Sequence, residues 1–272
     1  MKKFALLGLI ALVVGVFGTM FNWNEIKSQN LGEMIERSER IDHDQINAIE
    51  IKSDIGSVNF FQTDGDSIEV DFSGGARKRN DDVFTIEERD GSLRIAVDHD
   101  YKWINLSIFP SWTKRESVID IGLPSSFTGS IQASVDVGYI QVDELSVDQF
   151  TGYVNVGQIT GRSLLVNQGS ADVDVGEIDL SGVTGEWYLE SAVGEINLQH
   201  LDWQGKIEAH TEIGDITIRI AEEPEHYSLY LDTSLGSVKG VEHSISKSGS
   251  AEDVPILEAT SDIGDIRLEW GR

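Results

Sequence analysis

Cysteine is absent from all 272 residues. Its absence excludes disulfides, thiolate zinc sites, a cysteine nucleophile and lipid attachment through a thiol. An exported domain with a sizeable core needs no disulfide. Proline occurs four times against 27 glycines, a balance that suits short strands and tight turns. Basic residues are scarce: 21 Lys and Arg stand against 47 Asp and Glu, a net charge of −26. So few cations exclude nucleic acid, which proteins hold largely by neutralising phosphates. They also exclude broad electrostatic adhesion to anionic lipid. Cations and basic partners remain open as ligands, and a solvated acidic surface is the plain alternative.

Catalytic signatures are missing too. His43, His99, His200, His210, His226 and His243 lie scattered, with neither HxxxH nor HExxH spacing. There is no G-x-S-x-G and no P-loop, and Gly74-Gly75-Ala76-Arg77 precedes no helix. The reading is therefore a non-enzyme without a cofactor. A carbohydrate-active enzyme with two carboxylates on a β framework is the remaining catalytic alternative.

Long hydrophobic runs are confined to one place. Met1-Lys2-Lys3 precedes FALLGLIALVVGVFGTMF, Phe4 to Phe21, which carries no charge. Eighteen helical residues reach roughly 27 Å, close to the ~30 Å hydrocarbon core. A cleaved signal and a retained anchor compete here. No A-x-A-like site closes the run, so residues 1–22 are expected to be an N-terminal membrane anchor or uncleaved signal. Trp23 then meets the interface, and the rest of the chain faces the extracytoplasmic side of a bacterial cell membrane. Residues 23–40 are polar and mixed in charge, and read as a linker.

What the sequence has is repetition. From Ile41 onward no segment holds a helical period, and alternating strand patterns take over. Residues 83–88 and 92–97 flank Arg89-Asp90-Gly91, a strong hairpin signal. One phrase recurs as SDIGSVNF, VDVGYIQV, VDVGEIDL, SAVGEINL, TEIGDITI and SDIGDIRL. With the looser copies VNVGQI and TSLGSV included, the aligned glycines are Gly56, Gly138, Gly157, Gly176, Gly194, Gly214, Gly236 and Gly264. A step near 20 residues is the signature of stacked coils. The expected fold is all-β: a single-stranded β-solenoid of roughly 20-residue coils over residues 124–272. Residues 41–123 form a β-rich N-terminal cap, and one transmembrane helix precedes it. Antiparallel hairpins in a sandwich or barrel are the rival. Aliphatic residues stand both one before and two after every glycine. Positions three apart would face opposite sides of a flat strand. A bend at the glycine is therefore expected to turn both side chains into one core. Stacked in chain order, the six steps from Gly138 to Gly264 span about 29 Å.

Two groups of residues are candidate sites. Carboxylates flank the repeat glycines, and Asp174, Glu177, Glu195, Asp215, Asp262 and Asp265 are weak Ca²⁺ candidates, since stacked carboxylates offer oxygen ligands. Solvated turn residues are the alternative. The second group is Tyr101, Trp103, Phe109 and Trp112, set among Lys102, Lys114 and Arg115. Such an island suits docking to a membrane, glycan or protein partner, or covers the open end of a coil stack.

The [ST]-x-[IV]-G-[DE]-[IV] units, the strand ending at Leu123-Pro124 and the hydrophobic N-terminus together resemble the bacterial "putative adhesin" family of unknown function. That family includes LiaG-like proteins of Gram-positive envelope-stress operons. The likeness covers roughly residues 45–268, and Ser57, Tyr139, Gln158 and Ser237 depart from the acidic position after the glycine. It implies a β-solenoid, an envelope location and no known catalysis, and provides no catalytic residues to carry over. The expected function is a membrane-anchored binding or regulatory module, with a surface adhesin for glycan or protein as the alternative. An exposed end strand also gives a route to self-association.

Overall fold

The computed structural model describes residues 33–76, 84–98, 117–201, 203–240, 246–247 and 254–271. The hydrophobic run at 4–21 and the aromatic island at 101–112 lie outside the described residues. Among those described, every regular element is a strand and no helix is long and apolar enough to cross a membrane.

The strands are β1 (Glu33–Asp42), β2 (Ala48–Thr63), β3 (Ser67–Ala76), β4 (Phe84–Arg89), β5 (Ser92–Val97) and β6 (Val118–Pro124). There follow β7 (Ser130–Ser181), β8 (Thr184–Leu201), β9 (Lys206–Ile213), β10 (Ile216–Ile220) and β11 (Tyr227–Leu235). The last four are β12 (Val238–Lys239), β13 (Ser246–Lys247), β14 (Ile256–Ile263) and β15 (Ile266–Trp270). They share one sheet with the main order β1-β3-β6-β2-β7-β8-β9-β14-β11-β13.

A 52-residue strand such as β7 exists because it turns corners without leaving the ladder. Each corner is a repeat glycine with φ between 135° and 155°, at Gly56, Gly138, Gly157, Gly176, Gly194, Gly214 and Gly264. Side chains rarely adopt that conformation. Space forbids one as well: a Cβ on Gly157 would lie 1.8 Å from the carbonyl oxygen of Gly138, and one on Gly176 1.7 Å from that of Gly157. Equivalent residues of successive coils pair in parallel, Gly56 on Gly138, Val175 on Val193 and Val193 on Ile213. A second corner follows at Glu144, Ser163 and Gly182, all in the left-handed region.

The core runs through the stack. Two residues past each corner, Val58, Ile140, Ile159, Ile178, Ile196, Ile216 and Ile266 are fully buried. Each such side chain contributes about 1.5–3 kcal/mol by leaving water. The aliphatic residue just before the glycine does not join them. Ile55, Val137, Val156, Val175, Val193 and Ile213 are only half-buried, Ile263 is 43% exposed and Leu235 67%. The inward position is three before the glycine, where Ser53, Val135, Val154, Val173, Ser191, Thr211 and Ser261 are buried. Alternation holds from the buried −5 to −3 and breaks before the glycine, so −1, which a flat strand would set on the same side as −3, is turned out of the core by the corner. The hydroxyls there have work: Thr211 Oγ1 donates to the Gly194 carbonyl at 3.4 Å, Ser261 Oγ to Gly214 at 3.0 Å and Thr233 Oγ1 to Gly264 at 2.8 Å. Ser191 Oγ is buried without a partner.

Chain order and stack order part company at the C-terminal side. β14 pairs with β9 on one side and with β11 on the other. The coil of Gly264 therefore lies between those of Gly214 and Gly236, and the expected order by sequence is corrected. At the other end β2 is flanked in parallel by β5 and β6, which lead into antiparallel strands β4 and β3–β1. The ring of Phe72 stacks on Phe84 at 4.5 Å, joining the two branches. Residues 33–40, expected as linker, belong to β1, whose backbone pairs with β3 from Glu33↔Ala76 to Asp42↔Ser67. Backbone pairing at a sheet edge needs no apolar pattern, which is why EMIERSER concealed it. The Asp-Gly hairpin stands as expected, with Asp90 at φ 51° and Gly91 at 78° between β4 and β5.

Candidate binding surface

Outward positions of β8, β9, β14 and β11 align into rows across the coils. Four and six residues before the corner, register sets Asp172 beside Glu190, then His210, Thr260 and Asp232. The neighbouring row runs Ser170, Tyr188, Glu208, Glu258 and Tyr230. Tyr188 and Tyr230 are 44% and 49% exposed and stand three rungs apart, about 14 Å at ~4.8 Å per rung. Two glutamates lie between them.

Negative charge governs this face. Tyr188 Oη donates to Glu190 Oε2 at 2.6 Å, and that bond, with burial and the glutamate's charge, pushes the phenol up to about 12. Burial raises the Tyr153 phenol, which donates to Asp174 Oδ2 at 3.0 Å. Asp172 is pushed up by burial, then by Glu190 and Asp174. Lys206 bonds Glu208 and is held above its ordinary value by it. Two exposed rings over carboxylates form a platform for an amine-bearing or sugar ligand: cations sit over π-faces and hydroxyls bond carboxylates.

The weak Ca²⁺ candidates are occupied differently. Glu177 and Glu195 are neighbours in the ladder, but Glu177 accepts from Gln158 Nε2 at 3.2 Å and Asn197 Nδ2 at 3.0 Å. Asp215 Oδ1 takes the backbone N–H of Asp265 at 2.8 Å. Asp265 Oδ1 in turn takes the N–H and hydroxyl of Ser237, both at 2.9 Å, while Oδ2 meets Lys239 Nζ at 2.6 Å. Asp174 holds Tyr153, and Asp262 is exposed. Glu177, Asp215 and Asp265, each just after its glycine, are thus clamps between coils. Amide donors repeat the pattern elsewhere, from Asn155 to Asp136 at 3.3 Å and from Asn167 to Asp148 at 2.6 Å.

Lys239 and Ser237 hold the Asp265 carboxyl down to about 2. A carboxylate with a lower pKa folded than unfolded stabilises the fold above its unfolded value near 4 and loses that effect as pH falls through about 2. The melting temperature should fall between pH 5 and 2.5, and the fall should be smaller in Asp265→Asn. Equal falls in both proteins, followed by circular dichroism, would remove Asp265 from the acid response.

Sequence reasoning missed one cluster. Among the described residues, Asp42, His43 and Asp44 place three ligand-type atoms within 4.8 Å. His43 Nδ1 donates to the Asp66 carbonyl at 2.9 Å, and Nε2 shares a hydrogen bond with Ser126 Oγ at 2.9 Å. Both ring nitrogens are used to staple three turns together. A shallow groove of about 800 Å³ passes Asp148, Gln149, Leu165 and Asn167, with Asp148 its one carboxylate.

Residues 46–269 match the family model described as Toastrack DUF4097. The chain belongs to the Toastrack DUF4097 family. No curated protein matches it. Among solved Toastrack-like structures, a "putative adhesin" from Bacteroides fragilis is 19% identical, covers 87% of this chain and 97% of its own, and superposes with a TM-score of 0.52. A "putative cell adhesion protein" from Clostridium sporogenes is 12% identical over 88% of this chain and all of its own, TM-score 0.46. A "putative lipid binding protein" from Parabacteroides distasonis is 14% identical over 89% and 98%, TM-score 0.39. At such identity the Bacteroides fragilis likeness speaks for the Toastrack fold alone.

Proposed function

We infer that this Toastrack chain is a membrane-anchored, extracytoplasmic β-solenoid module of the bacterial envelope that binds a ligand without transforming it. Residues 4–21 hold it to the membrane. A role in the response to envelope stress follows from the family resemblance of its repeat phrases. The carrying observation is the row of Tyr188, Glu208, Glu258 and Tyr230, exposed at its two ends and fixed in a stacked frame. A rigid face with aromatics of low conformational cost favours recognition over catalysis.

The test presents the full chain in detergent to an array of glycans and Lys- or Arg-containing peptides. A subset should retain it, and Tyr188→Ala with Tyr230→Ala should weaken that retention at least tenfold. Tyr139→Ala, at an exposed corner, should not. If the double variant binds like the parent, another face carries recognition. If nothing on the array is retained, the binding module itself is refuted for these ligand classes.

A further inference from the structure

The coil Ile256–Trp270 holds a position that its place in the chain does not give it. It follows the coil of Gly236 in sequence, yet it is sandwiched between that coil and the coil of Gly214. Both flanks are fully engaged. On one side Gly214 N–H bonds the Ile263 carbonyl at 2.9 Å and Ile216 N–H that of Asp265 at 3.0 Å. On the other, Gly264 N–H bonds Leu235 and Ile266 N–H bonds Ser237, each at 3.0 Å. Side chains repeat this: Arg219 grips Glu269 with two bonds of 2.7 and 3.0 Å, and Asp265 clamps Ser237 and Lys239.

Without this coil the molecule has two open edges facing one slot, β9–β10 and β11–β12. Open edges are templates for a further strand. The slot reads the common corner phrase, and any copy of this chain carries the strand that fits. The connection is also long in sequence for its span. Between Gln141 and Gln149 the equivalent step uses residues 142–148, whereas between Lys239 and Ile256 it uses residues 240–255, more than twice as many. Within it Ser246 and Lys247 pair with β11, and the eight residues from there to Ile256 reach about 26 Å when fully extended. One rung needs only ~4.8 Å.

We propose that the slot between the coils of Gly214 and Gly236 is a strand-acceptor site, and that two copies of this chain exchange their Ile256–Trp270 coils through it. The exchanged coil makes the same contacts with its new neighbours as with its own, so exchange is opposed by the loss of independent motion and by re-routing of the connection. Exchange therefore rises with chain concentration, because within one chain the tether keeps the coil at a high effective concentration.

The absence of cysteine makes the test clean. Thr217 and Arg267 are direct partners across β10 and β15 and lie on the outward side. Thr217→Cys and Arg267→Cys chains, each full length in detergent, are unfolded, mixed in equal amounts, refolded and treated with a short bis-maleimide. A linked two-chain product should appear, grow with concentration, and vanish when the chains are refolded apart before mixing. The chain carrying both substitutions should link internally. Internal linkage in that chain with no two-chain product from the mixture above that of either single variant overturns the exchange. Failure of the internal link overturns the pairing on which it rests.

Discussion

Replacing Gly194 by alanine should cost about 4 kcal/mol and lower the melting temperature by on the order of 10 °C. Gly194 sits at φ 151°, and its added Cβ would meet the Gly176 carbonyl oxygen at 1.5 Å. Two penalties combine: a backbone region costing of order 1–3 kcal/mol for a side chain, and a collision with main chain that has no rotamer to yield. The loss is a large share of a typical stability of 5–15 kcal/mol. Gly65 is the control, because its Cβ would find nothing nearer than Thr63 Oγ1 at 3.8 Å. Gly65→Ala should melt within about 2 °C of the parent. A Gly194→Ala protein that melts equally close would show that the corners tolerate side chains, and the account of the repeat would fail.

Trp187→Ala ranks next, at about 3–5 kcal/mol, the usual cost of emptying a large aromatic site. The indole is buried at 2% exposure and donates its N–H to the Thr184 carbonyl at 3.1 Å. Its space comes from the coil beside it, where Gly169 is its register partner and a Cβ would lie 2.4 Å from the ring. Phe150 approaches from beyond, ring centres 6.5 Å apart. Gly169→Val alone should therefore destabilise, yet in the Trp187→Ala background it should recover part of the loss. Urea unfolding of the four proteins measures that coupling. Simple additivity would mean that the two positions do not share one volume.

The corner glycines were legible because a steric need repeats at a fixed step, and the buried aliphatic two residues later repeats with it. The other inward position was not legible. Ser53, Thr211 and Ser261 alternate there with valines, so hydropathy passes over it and selects the aliphatic row of Ile55 to Ile263 instead. Hydropathy reports the residue type, whereas the bend that begins before the glycine decides the direction, by breaking the alternation that would otherwise carry −1 inward with −3. The position of the last coil was hidden for a different reason: when every coil carries the same phrase, each fits beside any other, and no local signal ranks neighbours. The row proposed for binding had a similar fate. Tyr188 and Tyr230 are far apart in sequence and come to the two ends of one row only through the register of β8, β9, β14 and β11. Carboxylates after the glycine were visible, but their role as clamps on backbone N–H groups depends on which coil lies alongside.

The tucked final coil also has a mechanical meaning. A stack wound in simple sequence order unravels from its end like thread from a spool, each coil leaving by breaking one interface. Here a pull applied beyond Trp270 acts on a coil gripped on both sides. The first slip must break two ladders together, so the winding is locked by its own last turn, as a rope's whipping is finished by burying the tail beneath it.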